Sequence, residues 1–346
     1  MNIKDKLNKK NLIAIIASAV ILVAILVGII IWKAQPKGMV VAVSTLPDSL
    51  NPVLEQNTSG LNANELIFDG LVNWAVDSDG NHYPEYALAE SIEQDEKTKK
   101  LYTVTLRETE WHDGTPVNSY DVLYSYQAYI LEENDSPSRD YIMSFIDRVE
   151  VIDDKTLEIE FKNPIPEFSA LPVLTFKIIP SRFQGHDMDT NLREGEIERK
   201  FATEPIGTGP FKLSSWEIGK WLTFDANGLY WKNTPQADSL VLKRVIDPIV
   251  RLNELRKGRV NAVLETNPMD HDKVANLSKV DINSFLPYAF YDVAINIKYF
   301  PKAEGRQAMA MALDRENLVP GITDNPEGCV LNYGVYPSNI FQIACP

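Results

Sequence analysis

Residues 106–126 read LRETEWHDGTPVNSYDVLYSY, a strand end, a tight turn and the opening of a helix. Just upstream, Leu101, Thr103, Thr105 and Arg107 alternate with Tyr102, Val104 and Leu106, the period of a half-buried strand. Asp113-Gly114 marks the turn, because Gly takes a positive φ without a Cβ clash. Pro116 fixes the exit. Asn118 or Ser119 suits a helix N-cap, and Val122, Leu123 and Tyr126 supply an apolar face, predicting a helix over 120–131. Read alone, His112 and Asp113 suggest half of a catalytic pair, but no nucleophile accompanies them.

Outward from that stretch the chain alternates strand and helix patterns. Residues 39–44 (MVVAVS) form a short apolar strand, broken by Pro47, Asn51 and Pro52. Leu61, Leu66, Ile67 and Leu71 have helical spacing over 62–71. Residues 77–81 (DSDGN) are a turn and lack the distal Glu of a calcium loop. Strict alternation over 149–161 predicts a hairpin turning at 153–155. A helix over 165–174 and a short strand over 177–180 follow, then a polar surface segment over 187–200. Pro205 opens a second dense block with strands at 211–216 and 220–226. Strands at 240–245 and 260–264 flank a helix at 248–257 stopped by Gly258, so 240–264 reads as a βαβ unit with parallel strands. Residues 293–297 (VAINI) read as a strand. Residues 304–319 read as a helix with Met309, Ala312 and Leu313 facing inward.

At 346 residues the chain has room for two domains. Its net charge of −14 argues against a nucleic-acid partner and against a folded domain lying on an anionic membrane. Residues 12–32 carry no charge and are mostly Ile, Val, Leu and Ala. At ~1.5 Å per residue they reach about 30 Å, the hydrocarbon thickness of a bilayer. Lys4, Lys6, Lys9 and Lys10 precede the run, which favours a cytoplasmic N-terminus with the rest outside. An uncleaved signal anchor is expected rather than a cleaved signal peptide, whose apolar core is shorter and ends at a small-x-small site. The tether at 33–38 spans at most about 20 Å, so the globular part starts near the membrane. On this topology Cys329 and Cys345 lie in an oxidising compartment. They can form a disulfide worth ~3 kcal/mol or stand as two free thiols.

No enzyme constellation is legible. His82, His112, His186 and His271 lack metal-ligand spacing, no Gly-x-Ser-x-Gly elbow occurs, and the carboxylates fall in surface-like runs. The Gly207-Thr208-Gly209 segment lacks the Lys and Ser/Thr of a phosphate loop. No cofactor is expected.

Four blocks, in order, carry a resemblance. They are 44–71 with STLPDSLNP at its head, 101–126, 205–232 with GTGPF and NGLYWK, and 293–319 with EGRQA and ALDRE. Together they closely resemble the extracytoplasmic solute-binding proteins serving oligopeptide, dipeptide and nickel ABC importers, extracellular solute-binding protein family 5. Members of that family run further than this chain. The resemblance implies an α/β, periplasmic-binding-protein-like two-lobe fold of the type II, peptide-binding class. The expectation is an extra subdomain in the first lobe, a truncated second lobe and, from the uncharged run at 12–32, one transmembrane helix preceding them. The divisions expected are 1–37 for anchor and tether, 38–80 for the first part of lobe I, 81–200 for its inserted subdomain, 201–292 for its second part and 293–346 for the start of lobe II.

The implied function is capture of short peptides, or another small solute, by lobes that close on the ligand and present it to a permease with ATPase subunits. The implied location is the bacterial cell membrane, single-pass, with the globular part outside. A separate chain supplying the rest of lobe II is one implied partner, and a non-transport sensor or scaffold built on the same fold is the alternative role. By position, Glu55, Asn57 and Thr58 fall where the family lines its cleft, Thr266 and Asn267 at a second cleft edge, and Tyr141 where an aromatic flanks the ligand. Asn57 and Asn267 equally suit turns, and Tyr141 equally suits a core. Within the resemblance, Trp111, Asp113-Gly114 and Pro116 are scaffold.

Overall fold

The computed structural model describes residues 38–77, 82–264, 274–275, 277, 280–282, 294–314 and 317. The expected anchor at 12–32, Thr266, Asn267, Cys329 and Cys345 lie outside them, as does most of the turn at 77–81. Among the described residues no helix is long and apolar enough to cross a membrane.

In chain order the elements are β1 (Met39–Val43), α1 (Thr58–Ile67), β2 (Val72–Val76), β3 (His82–Tyr86), β4 (Ala89–Gln94), β5 (Leu101–Leu106), α2 (Ser119–Ile130) and α3 (Arg139–Phe145). Then come β6 (Ile146–Val151), β7 (Thr156–Phe161), α4 (Glu167–Ala170), β8 (Arg182–Phe183), β9 (His186–Asp187) and α5 (Glu196–Phe201). β10 (Phe211–Glu217), β11 (Trp221–Ala226), β12 (Ser239–Arg244), α6 (Pro248–Arg256), β13 (Ala262–Val263) and α7 (Ala303–Ala312) complete them.

Two sheets carry the fold. The first has the order β10-β11-β12-β1-β13, with β1 parallel to both β12 and β13. The predicted βαβ unit is therefore real, and β1 lies between its two strands. A central parallel strand is covered on both faces, which is why β1 is a continuous apolar run. Its period-2 geometry splits that run: Val41 and Val43 join Leu240 and Leu242 in the main core, while Val40 and Ala42 join Val241 and Val260 in a smaller one. Asp247 starts α6 by accepting from the N–H groups of Ile249 and Val250 at 2.8 and 3.1 Å, with Pro248 at the first helical position.

The second sheet is antiparallel, β4-β5-β7-β6. Alternate residues of β5 and β7 are buried, Tyr102, Val104 and Leu106 against Leu157, Ile159 and Phe161. The hairpin expected over 149–161 forms as β6 and β7. α2 begins one residue before its expected start and is closed by a capping box, Asn118 accepting from the Asp121 N–H and Asp121 from the Asn118 N–H.

Several expectations fail for local reasons. The helix expected over 62–71 is α1, which starts earlier because Asn57 is extended, and ends at Ile67 where Phe68 becomes extended. The helix expected over 165–174 is only one turn, α4, followed by a tighter 3₁₀ stretch, Leu171–Thr175. Pro172 has no N–H to give to the carbonyl four residues back. No strand forms over 177–180; Lys177 makes a single bridge to Gly70. Residues 294–297 are not a strand either. Asn296 closes a turn instead, its Oδ1 accepting from the Lys298 N–H at 2.9 Å and its carbonyl from Tyr299 and Phe300 at 3.1 Å each. α7 buries none of its residues, and Met309 and Leu313 are exposed, contrary to the inward face expected of them. The described part of the chain packs nothing on that face.

Candidate functional site

Three of the four blocks, 44–71, 101–126 and 205–232, meet in one buried hub at the C-terminal end of α1. Gly209 donates its N–H to the carbonyl of Ile67 at 2.8 Å, the last residue of the helix. A Cβ on Gly207 would stand 1.8 Å from that same carbonyl oxygen, so only glycine permits the approach. His112 holds the glycine loop from the other side. Its Nδ1 accepts the Gly207 N–H at 3.2 Å, and its Nε2 donates to the Gly209 carbonyl at 3.0 Å. That pattern requires the neutral imidazole with its proton on Nε2. Burial pushes the pKa of His112 down to about 4, opposed by the bond to Gly209.

Asp69 is the centre of the hub. It is 1% exposed, and burial raises its pKa above the usual carboxylate value, with Lys177 and the donors around it opposing. Oδ1 accepts from Asn73 Nδ2 at 2.6 Å and the Tyr230 hydroxyl at 3.1 Å. Oδ2 accepts from the Thr208 hydroxyl and from Trp231 Nε1, each at 3.2 Å. Arg107 lies 3.9 Å over the Trp231 ring. Asn227 donates to the Gly209 carbonyl at 3.1 Å. The segment Asn-Gly-Leu-Tyr-Trp is thus a clamp that reads Asp69. Trp111 is buried and donates to Asp121 at 3.2 Å, while Asp121 also accepts from the Ser181 N–H and hydroxyl at 2.8 Å each. Trp111, His112 and Asp121 are all committed to holding the fold.

A different face of α1 borders a hollow of about 240 Å³. Leu61, Asn64 and Glu65 line it from α1, Tyr129 from α2, and Tyr141 and Ile142 from α3. Val173, Phe176 and Lys177 close the far side. A complete small-molecule site holds roughly 300–1,000 Å³, so this hollow accommodates part of a ligand. Tyr141 is 49% exposed and stands edge-on to Phe145, with ring centroids 5.2 Å apart. Lys177 is nearly buried and donates to Glu65 Oε2 at 2.7 Å. Asn64 is 2% exposed, and neither atom of its side-chain amide has a hydrogen-bond partner.

The structure separates the residues singled out from the sequence. Tyr141 lines the hollow. Glu55 is buried, and its Oε1 accepts from the N–H groups of Gln56 and Asn57 at 2.9 and 2.7 Å. Asn57 and Thr58 are exposed at the start of α1, and the Asn57 carbonyl, not its side chain, receives the Gly60 and Leu61 N–H groups. None of these three lines the hollow. Asn64, Glu65, Tyr129 and Lys177 were missed. The signal available for the first two was spacing: Leu61, Asn64 and Glu65 stand at i, i+3 and i+4 on one helix face. A larger groove of about 610 Å³ runs along β10 beside His112, but both ring nitrogens of that histidine are taken by the glycine loop. Among the described residues no three His, Cys, Asp or Glu side chains cluster to hold a metal.

The described residues thus combine a sheet centred on a parallel strand, a separate antiparallel sheet and an aromatic-lined hollow beside the helix after the first strand. The family model for bacterial extracellular solute-binding proteins, family 5, matches residues 84–338, and the chain belongs to that family. Protein XP55 of Streptomyces lividans is 32% identical over 295 residues, covering 83% of this chain and 50% of that protein. The dipeptide-binding protein DppE of Bacillus subtilis is 28% identical over 308 residues, covering 81% of this chain and 52% of that one. In fold, the chain is similar to the oligopeptide-binding protein AppA of Bacillus subtilis, solved with a nonapeptide. The TM-score is 0.69 at 23% identity, over 84% of this chain and 57% of the other. The chain spans about half the length of the curated relatives it matches.

Proposed function

We propose that this chain captures short peptides outside the bacterial cell membrane and presents them to an ABC permease with its ATPase subunits. The hollow beside α1 is then one wall of the ligand cleft, and lobe II supplies the opposite wall. The observation that carries this reading is the hollow itself, half-sized for a ligand, apolar and aromatic with a few polar groups, in a fold whose relatives DppE and AppA are peptide-binding proteins. Glu55, Asn57 and Thr58 shape the loop that leads into α1, and Thr266 and Asn267 belong to the second edge of the cleft. The divisions at 38–80, 81–200, 201–292 and 293–346 are part of the same reading. The uncharged run at 12–32 anchors the protein, supported by the lysines before it.

The test is thermal unfolding of the purified full chain with an equimolar pool of tri- to pentapeptides. A bound peptide at 100 times its dissociation constant stabilises by about 2.7 kcal/mol. A melting curve unmoved by the pool at millimolar concentration would sink the proposal.

A further inference from the structure

The polar groups around the hollow are unequal. Lys177 and Glu65 pair with each other at 2.7 Å, and the Thr175 hydroxyl donates to the Pro172 carbonyl at 2.9 Å. Asn64, on the adjoining turn of α1, has neither its Oδ1 nor its Nδ2 paired although it is 2% exposed. A buried amide in that state is disfavoured, and an aliphatic side chain of similar shape would cost nothing there. What satisfies it must bring one donor and one acceptor together. In an extended peptide the N–H and C=O of a single residue point to the same side of the strand. A carboxamide matches that pair, Oδ1 accepting from the N–H while Nδ2 donates to the C=O.

We propose that Asn64 is a specificity-determining residue that pairs through Oδ1 and Nδ2 together with the N–H and C=O of one residue of an extended peptide in the hollow. This rests on the peptide reading above and adds to it a named backbone contact. Because the amide is closed off from water in this conformation, the pairing needs a side-chain adjustment. Tyr141, half-exposed on the seven-residue α3, is the lining ring with room to move. Pairing to one residue's backbone selects an extended main chain and leaves side-chain identity open, while Glu65 and Lys177 hold a charged rim beside it.

The experiment compares wild type with Asn64→Leu, using the tri- to pentapeptide pool and the same pool methylated at every backbone nitrogen. The readout is the pool concentration giving half of the maximal thermal shift. In the expected result Asn64→Leu needs about 10–100 times more of the ordinary pool than wild type does. Its preference for the ordinary over the methylated pool is also at least about tenfold smaller. The free variant melts about 2–4 °C higher, because the unpaired amide is gone. Should Asn64→Leu fail to fold, Asn64→Ala carries the same comparison without added bulk. Equal preference between the two pools in wild type and variant overturns this inference and leaves the peptide reading standing. A wild type that binds neither pool overturns both.

Discussion

The hub around Asp69 and the hollow beside Asn64 share one helix, α1, and differ in how their central polar groups are partnered. At the hub the carboxylate and the imidazole are matched, while the buried Nε of Arg107, over Trp231, has no partner. Asp69 has four side-chain donors, and both nitrogens of His112 are engaged. At the hollow an amide is buried with no partner and an aromatic ring stands half in solvent. A satisfied buried network specifies one structure, and it changes little when a ligand arrives. An unsatisfied group beside a hollow gains its partner from outside. The conspicuous motifs of this chain thus hold the fold, and under the proposed function inconspicuous residues face the ligand.

The contrast breaks first at Asp69. Asp69→Ala strands the Tyr230 and Thr208 hydroxyls, the Trp231 indole and the Asn73 amide at one stroke. The expected loss is about 4 kcal/mol in urea unfolding, and a loss under about 1 kcal/mol would show that the hub is not the keystone described. Next comes His112. Its pKa is about 4 in the fold against 6.5 in the unfolded chain, so the unfolded chain binds more protons between those values. The stability His112 contributes is complete above pH 6.5 and is lost as pH falls towards 4, about 3 kcal/mol in all. Asp69 acts in the opposite sense, since its raised pKa favours the folded state at low pH. The difference between wild type and His112→Asn, followed from pH 7 to pH 4, isolates the histidine. An unchanged difference across that window would mean that His112 stays neutral for no energetic reason.

The hub was legible because it is made of residue types with narrow uses. A glycine whose added Cβ would fall 1.8 Å from a carbonyl oxygen tolerates no substitute, and Asp113-Gly114, with Gly114 at φ +87°, makes the turn its letters announce. Period-2 alternation located β5, β6 and β7, and an apolar run located β1, because those patterns are consequences of which faces are covered. The failures share a cause as well. Pro172 tightened a helix and Asn296 closed a turn where apolar content suggested regular elements, so side-chain hydrogen bonding and the missing proline N–H outweighed hydrophobicity. The hollow was legible only at Tyr141. Asn64 sits in a helix among ordinary neighbours, and its isolation depends on what α2, α3 and the Leu171–Thr175 turn leave uncovered. Glu55 illustrates the converse: an acidic residue in a cleft-like loop position gives its Oε1 to the N–H groups of Gln56 and Asn57.

The finest probe of the contrast is Tyr141, because it should move binding and barely move stability. Its ring is half-exposed, and its one close aromatic partner among the described residues is Phe145, at 63° between ring planes. Such an edge contact is worth about 0.5–1.5 kcal/mol, and partial exposure puts the expected cost of Tyr141→Ala near 1 kcal/mol. If the ring flanks a peptide, the same change weakens binding of the peptide pool by about tenfold. Hub variants should show the reverse pattern. They lose stability first, and their affinity per folded molecule stays close to that of wild type. Tyr141→Ala losing stability with unchanged affinity would place that ring with the scaffold, and the boundary between wall and cleft would then have to move inward along α1 to Asn64.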